Sequence, residues 1–243
     1  MRKIFSKMFL IIGIMLLLMV RNQQQTINNT YTDIKNKVED KSVNVMKSEV
    51  SKKIDWNELK KINKDICAWL YIPNTGVDYP VIKAKSNNYY LTHDIYNKPS
   101  KYGSIFFDAR YYNKKINNVS NIIIYGHNMG HWNDTMFGKL MRFKNKNFYE
   151  KHKNIYLYTK KQKNVYRIVN VTRTTIKDIW YEFISLNKCK YSIEKLRKDL
   201  CDTSLYNCKQ LRNESNHFIT LSTCDFNGKY RILVIGEKLN NIL

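Results

Sequence analysis

The sequence is poor in glycine and poorer in proline, with 8 and 3 in 243 residues. Beside 43% hydrophobic and 13% aromatic residues, that scarcity excludes collagen-like, low-complexity and disordered chains and favours a packed core. No period of 20–50 residues runs through the chain, which excludes a solenoid. Neither a C-x-x-C pair nor an H-E-x-x-H spacing occurs, so no metal is expected. Acidic residues are scarce too: 20 against 42 basic ones, a formal net charge of +22. Such a surplus would suit phosphate neutralisation. The lysines, however, are spread over the whole chain and form neither a stripe nor an arginine-rich tail. An anionic cell envelope is the expected surrounding, and nucleic acid is not an expected partner.

The N-terminus lacks a small-x-small cleavage site. Met8–Val20 reads MFLIIGIMLLLMV, thirteen residues without a polar side chain, preceded by Arg2, Lys3 and Lys7 and followed by Arg21. Positive charge ahead of an apolar run holds that end in the cytoplasm and sends the rest outside. Ile4–Val20 approaches spanning length if Lys7 snorkels. The sequence therefore predicts an uncleaved membrane anchor over residues 1–21, with a cleaved signal peptide as the competing reading, a polar spacer over 22–54, and a single catalytic domain over 55–243.

Within that domain, Asp55 and Glu58 predict a capped helix with Trp56, Leu59 and Ile62 on one face. Strands are predicted at Cys67–Ile72, Val77–Ile82, Ser104–Asp108, Asn121–Tyr125, Ile155–Tyr158, Val165–Thr175, Phe218–Ser222 and Arg231–Gly236. Helical spacing runs through Asn87–Leu91 and Thr135–Phe143. Ser192 reads as the N-cap of a helix to Leu200. Seven or eight strands with few helices predict a mostly antiparallel β-barrel.

Five cysteines are an odd number, so a disulfide framework would leave one thiol over. Cys67 and Cys201 sit in apolar patterns and read as core; Cys189 and Cys208 sit among polar neighbours. Cys224 differs, lying just beyond a strand in FITLSTCDF. His127 lies just beyond another in IIIYGHNM, and Arg231 opens the last in GKYRILVIG. Strand ends let a rigid sheet hold side chains at a mouth. A thiolate is the reactive form of cysteine, an imidazole can hand a proton to a leaving amine, and a guanidinium can only donate hydrogen bonds, to a substrate or an oxyanion. Each residue alone has an ordinary reading as core thiol, loop histidine or surface charge; the conjunction points to a cysteine enzyme.

The motifs TLSTC at Thr220–Cys224 and YGHNM at Tyr125–Met129, with Arg231, resemble the signatures of sortases. DICAWLYIPNTGVDYPV (Asp65–Val81), NNYYLTHD (Asn87–Asp94), YGSIFFDAR (Tyr102–Arg110) and MFGKLMRFKNKNFYEKHKNIYLYT (Met136–Thr159) resemble stretches of class B sortases. The resemblance covers roughly Trp56–Gly236. It implies an eight-stranded sortase-type β-barrel, with N-terminal helices and a helix before the cysteine-bearing strand. It implies that Cys224 attacks the threonine carbonyl of a C-terminal sorting signal on a secreted protein, with His127 protonating the leaving amine and Arg231 positioning substrate. The thioacyl enzyme would be resolved by a peptidoglycan-precursor amine, or by a pilin lysine in polymerising members; no cofactor is implied. Simple hydrolysis is the alternative outcome. By position, Ser222, Asn87 and Leu91 match substrate-groove residues. Asp225 reads either as shaping the site or as a turn residue, and Arg173 is the alternative arginine. One departure is that only six residues separate Cys224 from Arg231, a short connection for this class.

Overall fold

The computed structural model describes residues 2–39, 52–114, 116–130, 133–184, 189–206, 215–226 and 228–240. Cys208 and much of the predicted spacer lie outside them. The chain divides into two compact units, Met1–Asp55 and Trp56–Leu243.

In the first unit, helix α1 (Arg2–Val38) is unbroken. Its apolar residues from Phe5 to Val20 are exposed, and the helix is long and apolar enough, by length and composition, to cross a membrane. The polar residues after Arg21 continue it, supported by i,i+4 contacts such as Gln25 Nε2 to Asn29 Oδ1 at 2.9 Å. The chain then doubles back, with an isolated bridge between Glu39 and Ile54 and an ion pair between Lys52 and Glu39.

The second unit opens with α2 (Trp56–Ile62) and builds a barrel from β1 (Ile66–Ile72), β2 (Val77–Lys83), β3 (Phe106–Phe107), β4 (Asn121–Tyr125), β5 (Asn154–Tyr158), β6 (Lys163–Thr174), β7 (Phe218–Cys224) and β8 (Arg231–Lys238). The strands close in the order β1-β2-β3-β4-β7-β8-β6-β5, which leaves no open edge. Helices α3 (Lys146–Lys151), α4 (Ile179–Glu182) and α5 (Ile193–Asp202) lie in the connections. Ser192 caps α5, its Oγ accepting from Lys195 N at 3.2 Å.

The predicted strand Ser104–Asp108 shrinks to Phe106–Phe107. Its two ends are claimed by other bonds: Ser104 N donates to Tyr90 O, and the Asp108 carboxylate caps the 3-10 turn Ala109–Tyr111. Two pairs, β2–β3 and β4–β7, are parallel. Pro80 sits where β2 has a ladder partner only in β1, because β3 reaches only Ile82 and Lys83. Cys201, read as core, is exposed and disulfide-bonded.

Register decides which face the site occupies. Ser222 pairs with Leu233 and Thr220 with Ile235, and alternation puts Phe218 on the same face. Phe218, Leu233 and Ile235 join Val169 of β6 with Trp180, Phe183, Leu196 and Leu200 in one buried cluster. The β6–β7 crossover thus covers the lower part of this face, and its upper end carries Cys224 and Arg231. Asn121 fixes the cover: its Nδ2 donates to Trp180 O at 3.1 Å and Phe183 O at 3.0 Å, and its Oδ1 accepts from Thr220 Oγ1 at 2.9 Å. Asn121→Ala would leave these buried groups unpaired, at an expected cost of about 2–4 kcal/mol. Urea unfolding checks this: a midpoint equal to wild type would mean that Asn121 does not hold the crossover.

Candidate active site

Three neighbouring strands, β4, β7 and β8, deliver the candidate chemistry to one end of the barrel. Cys224 is the last residue of β7 and is the direct cross-strand partner of Arg231, the first of β8. Residues opposed in an antiparallel pair share a face, so thiol and guanidinium leave the sheet on the same side. On the other flank β4 runs parallel to β7, with Tyr125 opposite Ser222. Two residues further along, His127 and Cys224 leave adjacent strand ends. The junction is tied by Gly126 N to Ser222 O at 3.3 Å, Thr223 Oγ1 to Gly126 O at 2.8 Å and Asn128 Nδ2 to Cys224 O at 3.0 Å.

His127 is aimed by a backbone acceptor. Its Nε2 lies 2.7 Å from Leu91 O. A carbonyl oxygen only accepts, so Nε2 carries the proton and Nδ1 is left to exchange one. The approach depends on Gly103 (φ +57°), where an added Cβ would stand 2.5 Å from Tyr90 O, 2.9 Å from Leu91 O and 3.1 Å from the His127 ring. Arg231 donates from Nη1 to Gly228 O at 2.7 Å and Tyr230 O at 3.1 Å. A guanidinium has five N–H donors, so these bonds do not exhaust it.

The short β7–β8 connection is organised by a second arginine. Arg173 Nε donates to Asp225 Oδ2 at 2.6 Å, and its guanidinium lies 3.6 Å from the centre of the Tyr230 ring. Asp225 also accepts from Phe226 N at 2.7 Å. Burial opposes the Asp225 carboxylate, but the hydrogen bonds from Arg173 and Phe226 N, with the charges of Lys144 and Arg173, together outweigh it and hold its pKa below the ordinary value. Asp225 and Arg173 thus brace the loop as a pair.

Of the residues matched to a substrate groove, Ser222 is nearly fully buried, and its Oγ is 2.6 Å from Tyr181 Oη. Leu91 contributes the carbonyl that orients His127. Asn87 is occupied by the scaffold: its Oδ1 accepts from Ala109 N at 2.7 Å and its Nδ2 reaches Asp108 Oδ2 at 3.4 Å. Tyr181, on α4, went unnoticed in the sequence. It stacks on Tyr125 (centroids 6.3 Å apart, planes 5° from parallel), and burial pushes its hydroxyl up to about 12. Asn128, Gly103, Asp108 and Arg110 were given no role either, although Asn128 lies in YGHNM and the other three in YGSIFFDAR. Cys67 is no rival thiol, since burial pushes its pKa up to about 12. Among the described residues no three His, Cys, Asp or Glu side chains converge where a metal could bind.

Comparison with known proteins agrees with the fold. Residues 70–239 match the sortase domain family. Sortase B of Listeria monocytogenes is 33% identical over 186 residues, 74% of this chain and 72% of the relative. The crystal structure of Clostridium perfringens sortase B superposes with a TM-score of 0.66 at 33% identity, covering 76% of this chain and all of that one. A Streptococcus pyogenes class B sortase involved in pilus biogenesis gives 0.62 at 28% identity, covering 76% and 98%. A closed eight-stranded barrel, a cysteine and an arginine paired across its last two strands, and this agreement over most of its length together place the chain in the sortase family, as a class B sortase.

Proposed function

We propose that the protein is a membrane-anchored transpeptidase that cleaves a C-terminal sorting signal after threonine and transfers the protein to a cell-wall precursor amine. The observation that carries this reading is Cys224 paired with Arg231 at a strand end, with His127 two residues beyond the Tyr125–Ser222 pair. The Cys224 thiolate attacks the threonine carbonyl carbon, forming a C–S bond and a tetrahedral oxyanion. Arg231 stabilises that oxyanion and aligns the peptide. The C–N bond breaks as His127 gives its proton to the departing amine, leaving a thioester. The acceptor amine then attacks the thioester and loses a proton to His127. The new amide forms, and the thiolate leaves to restore the enzyme.

Ser222 and Leu91 flank the peptide's approach, while Asn87 acts through the loop it braces. Helix α1 is the anchor and the catalytic domain lies outside the cytoplasm, a topology supported by Arg2, Lys3 and Lys7 ahead of the apolar run. The likeness to a sortase of pilus biogenesis supports a pilin lysine as the second acceptor class.

The test incubates the detergent-solubilised full chain with a library of sorting-signal peptides, with and without a defined amine. The expected product carries the amine at the threonine carboxyl. Free acid alone at saturating amine would make the protein a hydrolase, and an absence of any cleavage by the folded protein would sink the reading.

A further inference from the structure

A buried carboxylate outside the catalytic trio holds together three segments distant in sequence. Asp108 is 1% exposed. Its Oδ1 accepts from Arg110 N at 2.9 Å and Arg110 Nε at 2.7 Å; its Oδ2 accepts from Arg110 Nη2 at 2.9 Å, Tyr125 Oη at 2.8 Å and Asn87 Nδ2 at 3.4 Å. The same Arg110 Nη2 reaches across to Tyr181 O at 2.8 Å. Two routes therefore run from one carboxylate to one residue of α4. Through Arg110 it holds the Tyr181 backbone; through Tyr125 it sets the ring on which Tyr181 stacks. Tyr181 in turn meets Ser222, two residues before Cys224 and on the same face of β7.

The arrangement exceeds what fold maintenance needs. The crossover is already fixed by the Trp180–Phe183–Phe218 cluster and by the Asn121 amide. Tyr181 also packs against that cluster, but apolar packing does not direct its carbonyl and hydroxyl; the bonds from Arg110 and with Ser222 do. A bidentate arginine on a carboxylate has little freedom, and a guanidinium that also grips a backbone carbonyl transmits that rigidity. Burial opposes charge on Asp108, but the hydrogen bonds and charge of Arg110, with the Tyr125 hydroxyl, together outweigh it and hold its pKa below the ordinary value. The carboxylate therefore stays ionised at neutral pH.

We propose that Asp108 and Arg110 form a positioning clamp that presents Tyr181 to the peptide beside Cys224, so that they govern substrate binding without touching the reacting atoms. The inference rests on the transpeptidase reading of the site. A lysine at position 110 carries the charge but lacks the fork, and it cannot hold Asp108 and the Tyr181 carbonyl together.

The test compares the full chain with its Arg110→Ala, Arg110→Lys and Tyr181→Phe variants and with the Arg110→Ala/Tyr181→Phe double variant, using a sorting-signal peptide that wild type cleaves. Arg110→Ala is expected to raise KM about tenfold with kcat within about twofold, a loss in the range of one charge-assisted hydrogen bond. Arg110→Lys should fall between, and the double variant should be no worse than the worse single one, because both act on one linkage. Amide hydrogen exchange gives a second readout. The Tyr181 and Phe183 amides, bonded to Asp178 O and Ile179 O, should exchange about tenfold faster in Arg110→Ala, with the β7 amides unchanged. Unchanged exchange, or faster exchange with an unchanged KM, would overturn the clamp. A fall in kcat as large as the rise in KM, with β7 protection lost as well, would reduce it to general stability and overturn it too. If wild type cleaves no peptide, the transpeptidase reading and the clamp fall together. If wild type turns over and Arg110→Ala matches it, only the clamp falls.

Discussion

Cys224→Ala is expected to lower peptide turnover by at least about four orders of magnitude, with an unfolding midpoint close to that of wild type. The size follows from the chemistry: without a nucleophile no thioester forms, and only substrate positioning remains, an effect typical of nucleophile removal in acyl-transfer enzymes. Among the described residues no other thiol is placed to substitute. Burial pushes the Cys67 thiol up to about 12, Cys201 is in a disulfide, and Cys189 packs against the aromatic cluster under the crossover. The small stability change follows from location. Cys224 is half-exposed at a strand end, so loss of its sulfur opens no core cavity and is expected to cost within about 0.5 kcal/mol. Steady-state cleavage and thermal melting of the same preparations check both parts. Retention of a tenth of the activity would exclude Cys224 as the nucleophile.

The second large effect is expected at His127. Its replacement by alanine should cut amide cleavage by about two to four orders of magnitude, the usual worth of a positioned proton donor. The loss should depend on the leaving group. An amine cannot depart without a proton, whereas an activated thioester substrate can expel its thiolate unaided, so the variant should cleave the thioester with a far smaller deficit. Equal losses on both substrates would mean that His127 arranges the site and moves no proton. Gly103 belongs to the same argument, since a Cβ at position 103 would crowd both the His127 ring and the Leu91 carbonyl that aims it.

Much of the barrel is legible in the sequence because its strands are dense in β-branched and aromatic residues and end at turn formers. NIIIY and VYRIVNVTRT have no competing reading. β3 is harder. SIFFD has the composition of a five-residue strand, yet Ser104 gives its backbone N–H to Tyr90 O and Asp108 begins the 3-10 turn, so two residues of ladder remain. The parallel β4–β7 pairing has no local signature at all, since it depends on which distant strand lies beside which. Cys201 misleads for a related reason: it follows Leu200 in an apolar pattern, but α5 turns it outward. At the site, Cys224, His127 and Arg231 are readable as chemically capable residues at strand ends, whereas Tyr181, Asp108 and Arg110 are not. Tyr181 lies in a crossover without periodicity, and Asp108 looks like an ordinary strand terminus. Their contribution exists only in tertiary contacts, which a motif cannot encode.

The β4–β7 pairing has one more consequence, for the history of each molecule. Asn128 and Cys224, 96 residues apart in the chain, are joined by a hydrogen bond, and the parallel ladder beneath them cannot form by local zipping. Closing so long a loop carries an entropic cost that only a nearly complete barrel repays. Histidine and thiol therefore meet late in folding. A chain still emerging, or one arrested halfway, has an isolated cysteine with no proton partner and no arginine opposite it. On the proposed mechanism, the topology itself keeps the chain chemically silent until it has folded.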